Sequence, residues 1–392
     1  MEQARVLSRI GKSQASLLII AAVLIGLIGA RFVAHSAGTQ SHDARPHQGG
    51  QILRTPRKPA GSWTAAASLP VPEVSQAALL LANGDVLMTG GEVVKDGRPT
   101  RVVQRYHTAA GTWSTVAAMR QERIGHTVTM LKDGRVLVVG GLGKKLQPLS
   151  SVEIYDPVRD RWASTVPLPD VRFSHSATLF PDGRVLVVGG IVHGAISRSV
   201  LIFDPRKPAW RAGPPTLSPH AQQNALALPG GRVLIAGGYG GRAEVYDPRA
   251  GRWTEVGGPD VLAHPILAFV RNGDVLLATG VDNAGQTFSS TSLFDPKTDR
   301  WSSAAAMATG RDSPIGAELR DGRVLVAGGA ANRQVLRSAE IYDAGSNRWA
   351  PAAPMLHARS AASALLLRNG RVLVCGGSRY GTVLSSCELY HP

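Results

Sequence analysis

The sequence predicts an all-β fold, a seven-bladed β-propeller of four-stranded antiparallel blades closed by an N-terminal strand around Trp63. Three observations predict it. A hairpin signature recurs seven times, a tryptophan recurs seven times in one slot, and the two ends of the ordered chain complete each other. The signature is clearest at Arg320-Asp321-Gly322-Arg323-Val324-Leu325-Val326-Ala327-Gly328-Gly329. Its counterparts span Asn83 to Gly91, Asp133 to Gly141, Asp182 to Gly190, Gly230 to Gly238, Asn272 to Gly280 and Asn369 to Gly377. Repetition of this kind is the mark of an architecture built from one supersecondary unit.

Each copy joins a turn dipeptide, a short β-branched strand and a Gly pair. Asn-Gly and Asp-Gly are expected to supply the positive φ of a tight hairpin. The Gly pair is expected where the backbone turns through positive φ or where a side chain has no room. Blade 5 departs, with Thr279-Gly280-Val281 in place of the doublet, and blade 4 shortens the loop that follows to Gly238-Tyr239-Gly240-Gly241. The tryptophans are Trp63, Trp113, Trp162, Trp210, Trp253, Trp301 and Trp349, spaced by 43 to 50 residues. A second hairpin precedes most of them, as in Tyr155-Asp156-Pro157, where Pro presets φ in the turn. Four strands per unit follow: an inner one such as His175 to Phe180, the Val-Leu strand, the Tyr-Asp strand and the Trp strand.

One such sheet cannot bury both faces, but seven stacked around an axis can, leaving only short edges. An indole burying roughly 150–250 Å² suits a wedge between neighbouring sheets. The chain enters on a Trp strand at Trp63 with no partners before it. It leaves on a third strand, Cys387-Glu388-Leu389-Tyr390, with no Trp strand after it. The counts balance at seven blades only if these two ends share the last one. The expected oligomeric state is a monomer.

The 392 residues carry a net charge of +15 with 44 Gly and 25 Pro, a composition of many short strands and turns. The first 62 residues hold eight Lys/Arg against Glu2 and Asp43, so they contribute +6 of that charge. Arg5, Arg9 and Lys12 precede the apolar run from Leu17 to Ala30. Residues 1–36 therefore read as an export signal, shorter than the roughly 20 residues of a full span. If Phe32-Val33-Ala34 extends the run past Arg31, the same segment reads as an uncleaved membrane anchor. Either way the expected location is exported: periplasmic, secreted or at the cell surface. Residues 37–62 read as a flexible linker rich in Pro, Gly and charge, and residues 63–392 as the propeller. The basic balance suits an acidic partner or solvated arginines at strand ends. Without interleaved aromatics it gives nucleic-acid binding little support.

The Gly doublet after an apolar strand, the Tyr-Asp pair and the trailing Trp resemble the kelch repeat, in seven copies over residues 63–392. The Val-Leu-Val-x-Gly-Gly style is also similar to the propeller domain of galactose oxidase and its bacterial relatives. Eleven positions before the turn glycine stands Arg123, Arg172, Arg311 or Arg359 in four units, with His220 in blade 4, Glu73 in blade 1 and Leu262 in blade 5. Three residues on come His126 and His175, with Gln76 and Gln223 in two other blades. Entering the innermost strands, these residues should crowd one mouth of the central channel. In kelch proteins that capture acidic peptides, arginine here grips carboxylates. The resemblance thus implies an anion-seeking collar of Arg123, Arg172, His220, Arg311 and Arg359, with His126 and His175, binding a protein or an acidic ligand. The other reading of each arginine is a brace that bonds carbonyls where blades meet.

Radical copper oxidases of this fold need a Tyr joined to a Cys, a Tyr followed by a His ligand, and a further His. Gly125 and Ser174 precede His126 and His175, and Tyr106-His107 and Tyr390-His391 end third strands away from the mouth. No cofactor and no metal site is expected. Cys375 and Cys387, the only thiols, occupy apolar slots on adjacent strands, fit for a disulfide in an oxidising compartment or for two buried free thiols. An extracytoplasmic enzyme acting on an acidic sugar is the competing function. Its base would come from Glu73, Asp312 or Glu318, each of which also reads as a solvated or hairpin residue. Asp282-Asn283-Ala284-Gly285 has a faint likeness to a cation loop but reads better as a plain turn.

Overall fold

The computed structural model describes residues 59–93, 98–259, 263–282 and 284–392. The expected export signal, the spacer up to residue 58, Leu262 and Asn283 lie outside the described residues.

Seven four-stranded antiparallel sheets form the blades, with the order inner, second, third and outer strand in each. In blade 2 these strands are Thr127–Met130, Val136–Val139, Val152–Asp156 and Arg161–Ser164. The inner strands of the other blades are Ala77–Leu80, Ser176–Leu179, Asn224–Ala227, Ile266–Phe269, Ile315–Glu318 and Ser363–Leu366, and each touches the next around the axis. Second strands such as Val136–Val139 and Val185–Val188 are buried at every residue. They lie between two neighbouring sheets, so both faces are covered, which is why their sequence is a continuous apolar run rather than an alternation. Seven apolar clusters fill the seven gaps between adjacent blades.

The ring closes as the strand count requires. Ser62–Ala66 pairs with Cys387–His391, placing Trp63 opposite Tyr390, so the first described strand completes blade 7. Ala60, just ahead of it, already bridges Ala352 at the edge of blade 6. Each indole lies against the aromatic residue opposite it on the third strand, with ring centroids 4.8–5.1 Å apart in all seven blades. Six of the seven indoles also donate across the gap to a carbonyl at the end of the preceding blade. Trp162 Nε1 to Ala117 O at 2.7 Å and Trp63 Nε1 to Ala353 O at 2.7 Å are examples. Burial and one directional bond together fix the wedge.

The hairpin turns differ from expectation in one respect. Only the glycine takes positive φ, as at Gly84 (92°) and Gly134 (82°), while its Asn or Asp partner does not. The carboxylate or amide instead caps the backbone two residues on, as Asp133 Oδ1 does for Arg135 N at 3.1 Å. The following arginine then reaches back to the same carboxylate, with Arg135 Nε 2.8 Å from Asp133 Oδ2. The doublet glycines meet both of their expected requirements. Gly90 has φ +57°, and a Cβ there would fall 2.4 Å from Arg123 O and 2.8 Å from His126 Cε1 of the next blade.

Cys375 and Cys387 stand directly opposite each other on the second and third strands of blade 7, and they form a disulfide. The alternative of two free thiols is thereby resolved by register. Among the described residues, no helix is long and apolar enough to cross a membrane.

Candidate functional site

Every blade begins with the same short entry beneath the inner strand: Arg123-Ile124-Gly125-His126 in blade 2, Arg172-Phe173-Ser174-His175 in blade 3, Arg311-Asp312-Ser313-Pro314 in blade 6. The four positions do four different things.

The first position faces away from the channel. Arg123, Arg172, His220, Arg311 and Arg359 are at most 1% exposed. Arg123 donates to Gly140 O (2.6 Å), Ser151 O (3.0 Å), Ser151 Oγ (2.9 Å) and Glu153 Oε1 (2.8 Å). Arg311 and Arg359 repeat this with Glu340 and Glu388, and His220 meets Glu244 at 2.9 Å. Planar guanidinium groups suit such multiple bonding. The expected anion-seeking collar is therefore corrected: these side chains are braces inside the blades. Their burial, with the terminal guanidinium nitrogens bonded inside the blade, leaves no face for a ligand carboxylate.

The second position bridges the strand leaving each Gly pair, as Ile124 does with Leu142 and Phe173 with Ile191. It builds an apolar layer under the loops from Ile124, Phe173, Ala221, Tyr239 and their neighbours.

The third position is left-handed in all seven blades: Ser75, Gly125, Ser174, Gln222, His264, Ser313 and Ala361 have φ between +47° and +64°. Six of these are not glycine, and L residues adopt this conformation only where surroundings enforce it. At four of the seven junctions a backbone bond between neighbouring third positions helps to hold it. Ser174 N donates to Gly125 O (2.9 Å), Gln222 N to Ser174 O (2.8 Å), Ala361 N to Ser313 O (3.0 Å) and Ser75 N to Ala361 O (3.4 Å).

The third and fourth positions together line a cavity of about 430 Å³ at the mouth, to which all seven blades contribute. Its wall has two halves. Blades 1 to 4 supply Gln76, His126, His175 and Gln223, whereas blades 5 to 7 supply Pro265, Ile266, Pro314 and Ala362. His126 and His175 thus do reach the mouth, as expected, but as neutral rings. Burial, followed by the charge of Arg123, holds His126 down to about 3. Burial and Arg172 hold His175 well below its ordinary value. Their Nε2 atoms are spent on Thr89 Oγ1 (2.9 Å) and Thr127 Oγ1 (3.0 Å).

The carboxylates named from sequence part company. Glu73 is fully buried; burial pushes it up to about 8 against a hydrogen bond from Gln104. Glu318 is exposed at the far end of its inner strand, away from the mouth. Asp312 lies beside the cavity, where Oδ1 is 2.8 Å from His264 Nδ1. His264 was missed by the sequence reading, which followed the first and fourth positions of the entry. In blade 5 the chemistry sits at the third.

The loops joining second to third strands rise on this same side, because five of the Gly pairs hydrogen-bond the next blade's entry, as Gly91 N does Arg123 O. Their tips carry exposed Lys144, Lys145, Arg242, Arg333 and Arg379.

The Kelch motif matches the chain at residues 126–169, 172–216 and 313–356, three in-register copies of the unit that builds all seven blades. The chain is a kelch-repeat propeller. No curated protein sequence matches it. Among solved structures, the kelch propeller is similar to a novel fungal alcohol oxidase of the AA5 family, in complex with copper. The identity is 18%, with 85% of this chain and 76% of that one covered, and the TM-score is 0.70; the likeness is one of fold.

Copper of the radical type does not fit the residues of this kelch propeller. Both cysteines are joined to each other in blade 7, no tyrosine among the described residues lines the cavity, and the buried His126 and His175 each hold a threonine. Among the described residues no group of three or more His, Cys, Asp or Glu is placed to hold a metal ion.

Proposed function

We propose that this kelch propeller is an extracytoplasmic binding module that engages an acidic partner through its loop face. One observation carries the reading: charge is distributed differently on the two faces. On the turn face, hairpin aspartates pair with neighbouring arginines, as in Arg135–Asp133, Arg184–Asp182, Arg206–Asp204 and Arg323–Asp321. They offset part of the charge of that face, where other arginines such as Arg271 and Arg320 stand outside any ion pair among the described residues. On the loop face, Lys144, Lys145, Arg333 and Arg379 project around the cavity with no carboxylate within ion-pair distance among the described residues. Unneutralised cations around a concavity concentrate anions and speed their docking. The disulfide supports an oxidising compartment, and the basic-then-apolar N-terminal sequence supports export, with membrane attachment if that segment is retained.

The test compares equal charge changes on the two faces of the full chain. Reversal of Lys144, Lys145 and Arg333 to Glu should lower the salt needed to elute the protein from a carboxylated matrix. Reversal of Arg135, Arg184 and Arg323 should lower it much less. Equal shifts would remove the basis of the proposal. A second reading, an enzyme acting on an acidic sugar, is favoured by one observation, the carboxylate-tethered His264 in the cavity wall.

A further inference from the structure

His264 stands at the seam of the cavity, between the polar half of the wall and the apolar half. Its Nδ1 lies 2.8 Å from Asp312 Oδ1 and 3.2 Å from Ser313 Oγ, and Ser313 Oγ donates to the same carboxylate oxygen at 3.0 Å. Burial pushes the Asp312 carboxyl up, but the hydrogen bonds and charge of His264, with Ser313, outweigh it and hold the acid below its ordinary range. An ionised carboxylate only accepts, so Nδ1 carries a proton whether or not the ring is charged, and the neutral form of the ring keeps its lone pair on Nε2. Among the bonds of the described residues none involves that Nε2, and the side chain is 20% exposed in the cavity wall.

Serine, histidine and aspartate together do not make a nucleophilic triad here. Ser313 and Asp312 meet the same ring nitrogen, whereas a triad needs the hydroxyl on the nitrogen opposite the carboxylate. What the arrangement does provide is a fixed acceptor.

The polar half of the wall offers the same chemistry. Gln76 spends its amide nitrogen on Cys375 O (3.3 Å) and Gln223 spends its own on Val188 O (2.8 Å). Gln76 Oε1 and Gln223 Oε1, with Nδ1 of His126 and His175, are buried atoms without a protein partner, on side chains 6–7% exposed. Thr89 Oγ1 donates to Ala77 O at 3.4 Å, so it accepts from His126 Nε2 and leaves Nδ1 of that ring as another lone pair. A buried acceptor lacking a donor is costly, and a ligand rich in O–H groups relieves that cost. Opposite, Pro265, Ile266 and Pro314 form a surface for a ligand's C–H face. A carboxylate would bring lone pairs to these lone pairs, so an acidic group of a ligand belongs at the cationic rim and not against Gln76 and Gln223.

We propose that His264, oriented by Asp312, is the ligand-recognising residue of the mouth. Its Nε2 accepts a hydrogen bond from a neutral, hydroxyl-rich unit the size of one sugar ring, whose other hydroxyls meet Gln76 and Gln223. The volume suits one small ligand. The inference rests on the mouth being a binding site, but it names a different chemistry from the cationic rim and is tested separately.

The experiment uses the full chain labelled with ¹⁵N-histidine, titrated with methyl pyranosides and myo-inositol, and in parallel with glucuronate and acetate. In the wild type the His264 resonances should show protonated Nδ1 and unprotonated Nε2, and Asp312→Asn should turn this into a tautomer mixture. A neutral pyranoside or inositol should shift Nε2 saturably. His264→Asn, which tolerates the left-handed backbone, should weaken that binding at least tenfold at an unchanged melting temperature. His264→Gln serves as the second variant should the first not fold. Saturable binding of the carboxylates alone, no saturable shift from any neutral probe, or full pyranoside affinity in the folded variants would each overturn the proposal. If rim reversal still abolishes matrix retention in those cases, the binding-module reading stands and only this inference falls.

Discussion

Blades 2 and 3 are neighbours with the same strands, the same entry and the same buried arginine, yet only one of them pairs that arginine with an acid. Arg123 meets Glu153, whereas in blade 3 the equivalent third-strand position is Leu201 and Arg172 is held by Gly189 O (3.0 Å) and Ser199 Oγ (2.9 Å). Burial lowers Arg172 to about 10, leaving it a cation at neutral pH. The difference teaches that carbonyl and hydroxyl acceptors suffice to keep the arginine in place. The acid has an additional task. Glu153 also accepts Arg120 N (2.7 Å) and Gln121 N (3.2 Å) from the segment crossing between blades, and Glu388 does the same for Leu356 N and His357 N. The ion pair is thus a stitch across the ring, and blade 3 does without it.

The largest expected effect follows from breaking that stitch. Arg123→Met strands Glu153 as a buried carboxylate, which should cost about 3–5 kcal/mol in denaturant unfolding. Arg172→Met leaves no carboxylate behind and should cost only about 1 kcal/mol, the scale of a net hydrogen bond. Equal losses at the two sites would mean that the acids contribute nothing beyond packing.

Blade 1 sharpens the comparison, because it reverses the charge: Glu73 replaces the arginine, and Gln104 Nε2 donates to Glu73 Oε2 at 2.8 Å. With no cation nearby to favour the charged form, burial raises this acid from 4.5 to about 8. A raised folded-state value stabilises fully below the unfolded value near 4.5, and that contribution is lost as pH rises through about 8. Unfolding free energy should therefore fall with pH across this window by up to ~1.4 kcal/mol per pH unit. Glu73→Gln should flatten the profile, and an unchanged slope in that variant would show that Glu73 is already ionised.

How far these differences were legible varies by residue. The seven-fold count and the sharing of blade 7 by the two strands around Trp63 and Tyr390 follow from repeat phase, as does the placing of Cys375 and Cys387 on adjacent strands, whereas their facing register was fixed only by the structure. The glycine doublet was legible as a close approach, though not what approaches it. The collar was misjudged because slot position says how near the axis a backbone comes, not which way its side chain turns. At the first entry position the side chain turns into the blade, toward Gly140 O and Glu153, and only the left-handed third position swings the next residue to the mouth.

The order of strands, the number of blades and the closing of the ring were determined by the sequence alone, since each is a local pattern repeated in phase. Only the tertiary structure decided which side chains face the cavity. Asp312 and His264 are 48 residues apart in adjacent blades, and whether such side chains bond, bury or face the cavity depends on backbone torsion and packing across a gap that no single repeat contains.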